Sequence, residues 1–119
     1  MELTEIPTAA GQEHRVVAWI ERWVAAQQGL RLKRDRFGNL LVTQTRSSSK
    51  KPIYITAHLD HPAFVVRKQI DEQHLEMEFR GGVNDAYFVD AKIEVFDNED
   101  NRYVGTITSL NSKAKPFKR

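Results

Sequence analysis

The spacing of apolar residues changes once along the chain, and that change divides it. Between Gln12 and Gln28, Val16, Val17, Ile20, Trp23 and Val24 recur three and four positions apart, which places them on one helical face. This is the one helix the pattern predicts. Thr8 or Gly11 is placed to cap its start, Glu13 sits near the positive end of its dipole, and Gly29 suits a left-handed ending. After Gly29 the spacing shortens to that of strands. "LRLKRDRFGNLLVTQT" reads as two strands around Gly38-Asn39, whose tolerance of positive φ allows a tight reversal. "RSSSKK", Arg46 to Lys51, is polar and unpatterned and predicts an exposed loop. "PIYITAHL" is mostly apolar, as in a strand covered on both faces of an α/β sheet. Two further hairpins follow, one around Asp71-Glu72-Gln73-His74 and one around the polar turn "DNEDN".

Composition narrows the class. At 119 residues with 40% hydrophobic residues, the chain can build a core without staples, and with no cysteine it has neither disulfides nor thiolate metal sites. The opening "MELTEIPTAAGQEH" lacks a basic head followed by an apolar run, and no segment approaches the ~20 apolar residues of a membrane span. A cytoplasmic location is the expectation, with no membrane partner. Eighteen Lys and Arg against sixteen Asp and Glu give a net charge of +2, too small a field to call for nucleic acid. No internal repeat is present.

The stretch that invites chemistry is "AHLDHP". His58 and Asp60 are two apart, so in extended backbone both face the same side. Two readings follow. A neutral imidazole is a good zinc ligand that a nearby carboxylate can orient; equally, the polar end of a strand can hydrogen-bond to backbone or water. The carboxyl end of a strand in an open α/β sheet is where active sites gather, which adds weight to the first. His61 would face the opposite side, as a surface or packing histidine or as a further ligand. His14 and His74 read as solvated. Trp19 and Trp23 lie one turn apart and predict packing of helix on sheet rather than an aromatic box. Gly81-Gly82 reads as a chain reversal or a crossing between domains. The tail "KAKPFKR", with Lys113, Lys115, Lys118 and Arg119, reads as a frayed terminus.

"AHLDHPAFVV", then "RKQIDEQHLEMEF", "RGG", "AKIEVF" and "VGTI" follow one another in an order that resembles the N-terminal third of the glutamyl and deblocking aminopeptidases. These are dinuclear-metal peptidases that can assemble as tetrahedral particles. Upstream, "IPTAAGQE" resembles the family's opening before its first helix, and "DRFGNLLV" its aspartate-containing hairpin. The resemblance runs from about Leu3 to Leu110. The carboxypeptidase-like and succinyl-ornithine-type amidohydrolases share the His-x-Asp strand, but "FVV" followed by the paired glycines favours the aminopeptidases.

The resemblance implies an α/β fold: an N-terminal helix, β-hairpins and sheet strands of a metallopeptidase catalytic domain, running into the start of an inserted β-barrel-like domain. Residues 1–66 would belong to the catalytic domain and 67–119 to the β-hairpins and the start of the insertion. It implies His58 as the first metal ligand and Asp60 as the catalytic carboxylate that supports the metal from beside it. It also implies divalent metal, zinc or cobalt, as a pair of ions in a complete enzyme. The reaction is hydrolysis of an N-terminal peptide bond by a metal-activated water, with a peptide as substrate. Two departures stand out: His61-Pro62-Ala63 where the family has Glu-Ile-Gly, and Val83 where a tryptophan is common. The remaining ligands and the glutamate base belong to downstream sequence, so this chain is expected to be an N-terminal fragment, inactive alone. The alternative is a non-catalytic β-rich binding or assembly module. A strand pattern around Ile53, Ile55 and Val65 with one helix to cover it further predicts a homo-oligomer.

Overall fold

The computed structural model describes residues 3–46 and 51–111. The chain divides into two compact units, Met1–Thr8 with Gln12–Asp60, and Ala9–Gly11 with His61–Arg119. Among the described residues the architecture is α/β, one α-helix and three antiparallel strand pairs, each pair a separate two-stranded sheet.

In the first unit, a short 3-10 turn at Leu3–Glu5 precedes helix α1, His14–Ala25. Val16, Val17 and Val24 are its buried residues, as the spacing predicts, and α1 packs against strand β1. Glu13 holds the N-cap position without a side-chain cap, so neither Thr8 nor Gly11 performs that role. Trp23 departs from expectation, while Trp19 is half-buried. Their rings stack on each other at 6.4 Å and 8°, and Trp23 is 45% exposed, because the valine stripe already fills the face turned to the core. Strand β1, Leu30–Arg34, pairs with β2, Leu40–Gln44, with Leu30 opposite Gln44 and Arg34 opposite Leu40. Gly29, at φ 85°, opens this hairpin rather than closing the helix; its carbonyl accepts the Thr45 N–H at 2.8 Å.

The second unit joins β3, Ala63–Gln69, to β4, Leu75–Arg80, and β5, Lys92–Phe96, to β6, Arg102–Thr106. Register in the first pair runs from Ala63 opposite Arg80 to Gln69 opposite Leu75, with a bulge between Val66 and Lys68. A 3-10 turn at Asp85–Tyr87 follows β4, its start capped by the Asn84 side chain, which accepts the Ala86 N–H at 3.0 Å. Phe64, Phe79 and Phe88 form the centre of this unit, with ring centroids 4.6 to 5.1 Å apart in tilted and edge-on geometries that suit aromatic quadrupoles. Phe88 and Ile107 are buried.

One expectation fails outright. Residues 52–61 form no strand, and Ile53, Tyr54 and Ile55 are 91, 73 and 95% exposed. The apolar run has the composition of a covered strand, but none of the three hairpins extends to pair with it. Most of the expected loop at 46–51 and the basic tail lie outside the described residues.

All three hairpin turns are closed by an aspartate. Asp35 Oδ1 accepts the N–H groups of Phe37 and Asn39 at 2.8 and 2.9 Å, while the Asn39 side-chain amide donates to Oδ2 at 2.8 Å. Asp97 repeats the arrangement with Glu99 and Asn101, at 2.9, 2.8 and 2.9 Å. The residue before each asparagine takes positive φ, Gly38 at 89° and Asp100 at 64°. Asp71 accepts the N–H groups of Gln73 and His74 and lies 2.8 Å from His74 Nδ1.

These bonds hold each carboxyl below its ordinary value of 3.8, chiefly through the Asn39 amide at Asp35, the Gln73 N–H at Asp71 and the Asn101 amide at Asp97. A carboxyl lowered by folding stabilises the native state above its unfolded pKa, and that contribution is lost as pH falls through the folded value. Acidification below ~4 is therefore expected to weaken all three hairpins. Chemical unfolding between pH 5 and 2 checks this: Asp97→Ala should be less stable at pH 5 and less sensitive to acid, and an unchanged acid slope would refute the assignment. At Gly81, φ 157°, an added Cβ would lie 2.7 Å from Pro62 Cβ and 2.9 Å from Phe79 Cζ. Gly81→Ala should cost about 1–3 kcal/mol in urea unfolding, as overpacking does, whereas Gly82→Ala, with nothing within 4 Å, should be tolerated.

Candidate functional site

His58 and Asp60 lie on the irregular stretch that precedes Pro62. Their side chains do meet, though not by the route their spacing suggested, since the backbone carrying them is not a strand. The His58 ring folds toward the chain two residues on: Nδ1 lies 2.9 Å from the Asp60 carbonyl oxygen and 3.4 Å from its Oδ1. A carbonyl has only lone pairs, so Nδ1 must carry the proton and donate. In the neutral ring the remaining lone pair then sits on Nε2. The His58 side chain is 81% exposed and that of Asp60 30%, so the imidazole projects outward while the carboxylate is half-covered behind it.

This is the arrangement in which an oxygen partner fixes a histidine's tautomer and presents the other nitrogen to a metal. The donor set fits one ligand position. It does not fit a whole site, since zinc takes three or four protein ligands and, among the described residues, no group of three or more His, Cys, Asp or Glu is arranged to hold a metal ion. His61 is exposed and belongs to the second unit, as does His74, which is tied to its hairpin turn. His14, at the start of α1, is exposed.

The sequence did not single out one charged cluster. Arg80, buried, donates from Nε to Glu78 Oε2 at 3.1 Å and from Nη1 to the Ala10 carbonyl at 2.5 Å, and Arg67 Nη2 lies 3.7 Å from Glu78 Oε1. This network ties Ala9–Gly11 to β4 and explains why that short segment belongs to the second unit. Its one visible signal is a Glu and an Arg two apart on a strand.

A hairpin-rich α/β segment that presents a carboxylate-backed imidazole suits the metal-dependent hydrolases as a class. Residues 38–116, well over half of the chain, match the model of the M42 glutamyl aminopeptidase family, and the chain belongs to that family. Its members are generally metal-dependent peptidases. The matched residues begin within the first hairpin and include His58, Asp60 and both later strand pairs. No curated protein matches the chain. Among the described residues no helix is long and apolar enough to cross a membrane.

Proposed function

We propose that this chain supplies the N-terminal part of a metal-dependent aminopeptidase, with His58 as one metal ligand through Nε2 and Asp60 as the carboxylate that orients it. The observation that carries this is the family match across 38–116, which includes His58 and Asp60, with His58 Nδ1 2.9 Å from the Asp60 carbonyl oxygen and 3.4 Å from its carboxylate. Residues 1–66 would form part of the catalytic domain, and 67–119 the hairpins that lead into an inserted β-barrel-like domain. Zinc or cobalt, two ions in a complete enzyme, would lower the pKa of a water and polarise the peptide carbonyl. The substrate would be a peptide with a free N-terminus, met in the cytoplasm. The chain's own residues would bind and orient; among the described residues no group of three or more His, Cys, Asp or Glu could hold a metal ion, so these 119 residues alone are read as inactive.

A non-catalytic module is the second reading. His61-Pro62-Ala63 in place of the family's Glu-Ile-Gly, immediately after the site, favours it.

The two are separated by adding cobalt to the purified chain and following its histidine ring signals. Paramagnetic broadening should be confined to His58 and lost in His58→Gln; broadening equal at all histidines, or unaffected by the substitution, would favour the module. In parallel, an aminoacyl chromogenic substrate with zinc, cobalt or manganese should show no turnover. Chelator-sensitive turnover by the wild-type chain, absent in His58→Gln, would overturn the reading of inactivity.

A further inference from the structure

Three aromatic side chains project from the surface to the same extent. Tyr54, Phe37 and Tyr87 are 73, 75 and 74% exposed, so an endopeptidase that reads an aromatic side chain can reach all three. The backbone beside them differs. Phe37 donates its N–H to Asp35 Oδ1 at 2.8 Å, and the Gly38 N–H across the next peptide bond goes to the Asp35 carbonyl at 3.1 Å. Tyr87 and Phe88 donate to the carbonyls of Asn84 and Asp85 at 3.1 and 3.0 Å. Around Tyr54 no such bond exists. No backbone hydrogen bond joins residues 52–57 to any other described residue, and the neighbours Ile53 and Ile55 are 91 and 95% exposed.

We propose that the Tyr54–Ile55 peptide bond is a processing site, the first bond in the folded chain to be hydrolysed by an endopeptidase that cuts after aromatic residues. Such an enzyme holds its substrate as an extended strand and pairs with its N–H and C=O groups, which must therefore be free. Residues 52–57 meet that condition in the native state. At Phe37 and Tyr87 the turn must open first, and each hydrogen bond that opens lowers the cleavable population severalfold. The neighbouring sequence sets the class of enzyme. No Lys or Arg occurs from 52 to 66, and the bond after Lys51 has the Pro52 ring in place of an amide N–H, so cleavage after a cation has no site in the open segment. Tyr54 is the one aromatic residue in 52–61. Water adds across the bond, leaving a carboxylate on Tyr54 and an ammonium on Ile55. The cut parts residues 1–54, with α1 and the first hairpin, from 55–119, which keep both later strand pairs and the His58–Asp60 contact. Cleavage would thus separate a metal ligand from the N-terminal elements, a consequence that rests on the proposed function.

The test is digestion of the whole 119-residue chain with a trace of chymotrypsin, the fragments being weighed by mass spectrometry while little has been cut. The pair 1–54 and 55–119 should form first, at least ~tenfold faster than fragments ending at Phe37 or Tyr87. Subdenaturing urea, with enzyme activity corrected on a short peptide, should accelerate the slower cuts and leave the first unchanged within about twofold. Two variants separate recognition from folding. Tyr54→Ala removes the side chain that the enzyme reads, while Ile55→Pro keeps it and blocks the bond at a position whose N–H bonds to no described residue. Each should abolish the first cut and leave circular dichroism unchanged. A chain left intact at Tyr54 would overturn the proposal, as would fragments ending at Phe37 or Tyr87 that form first or equally fast. So would a first cut that urea accelerates, or one that survives both substitutions.

Discussion

Every strand pair among the described residues is a two-stranded hairpin, and a two-stranded hairpin is marginal in water unless its turn and one face are secured. The aspartate at each reversal meets the first need. Asp35, Asp71 and Asp97 each gather two backbone N–H groups of the turn onto one carboxylate oxygen, which closes the loop through contacts two to four residues apart. The faces are secured differently in the two units. In the first, β1 lies against the valine stripe of α1; in the second, three phenylalanines lock together beside the β3–β4 pair.

At residues 52–61 these securing devices stop. Residues 52–61 carry the only carboxylate-backed imidazole outside a turn among the described residues, yet they have neither an aspartate-closed reversal nor a covered face. His58 is oriented by its own next-but-one residue, so the geometry of the pair is local and does not depend on a sheet.

The sequence was most legible where structure is local. The α1 stripe, the reversal at Gly38-Asn39 and the polar turns at 71–74 and 97–101 were each readable from spacing and turn chemistry, though Asn39 acts through its side-chain amide and Gly38 alone takes positive φ. It was least legible where burial depends on non-local partners. "PIYITAHL" has the composition of a strand covered on both faces, and composition cannot say whether the neighbouring strands exist. Trp23 departs likewise, 45% exposed while Trp19 is half-buried, since a shared face does not reveal that valines already occupy the core. At the site, spacing placed His58 and Asp60 together for a strand's reason, while the ring meets the Asp60 backbone instead.

That contact is the centre of the account, since it decides which nitrogen faces outward. Long-range proton–nitrogen-15 correlation of the histidine rings, at a pH where imidazole is neutral, reads the tautomer directly. The prediction is a His58 ring protonated at Nδ1, with Nε2 showing the shift of an unprotonated nitrogen. A His58 ring protonated at Nε2 would contradict it, because the nitrogen offered to a metal would then carry a proton.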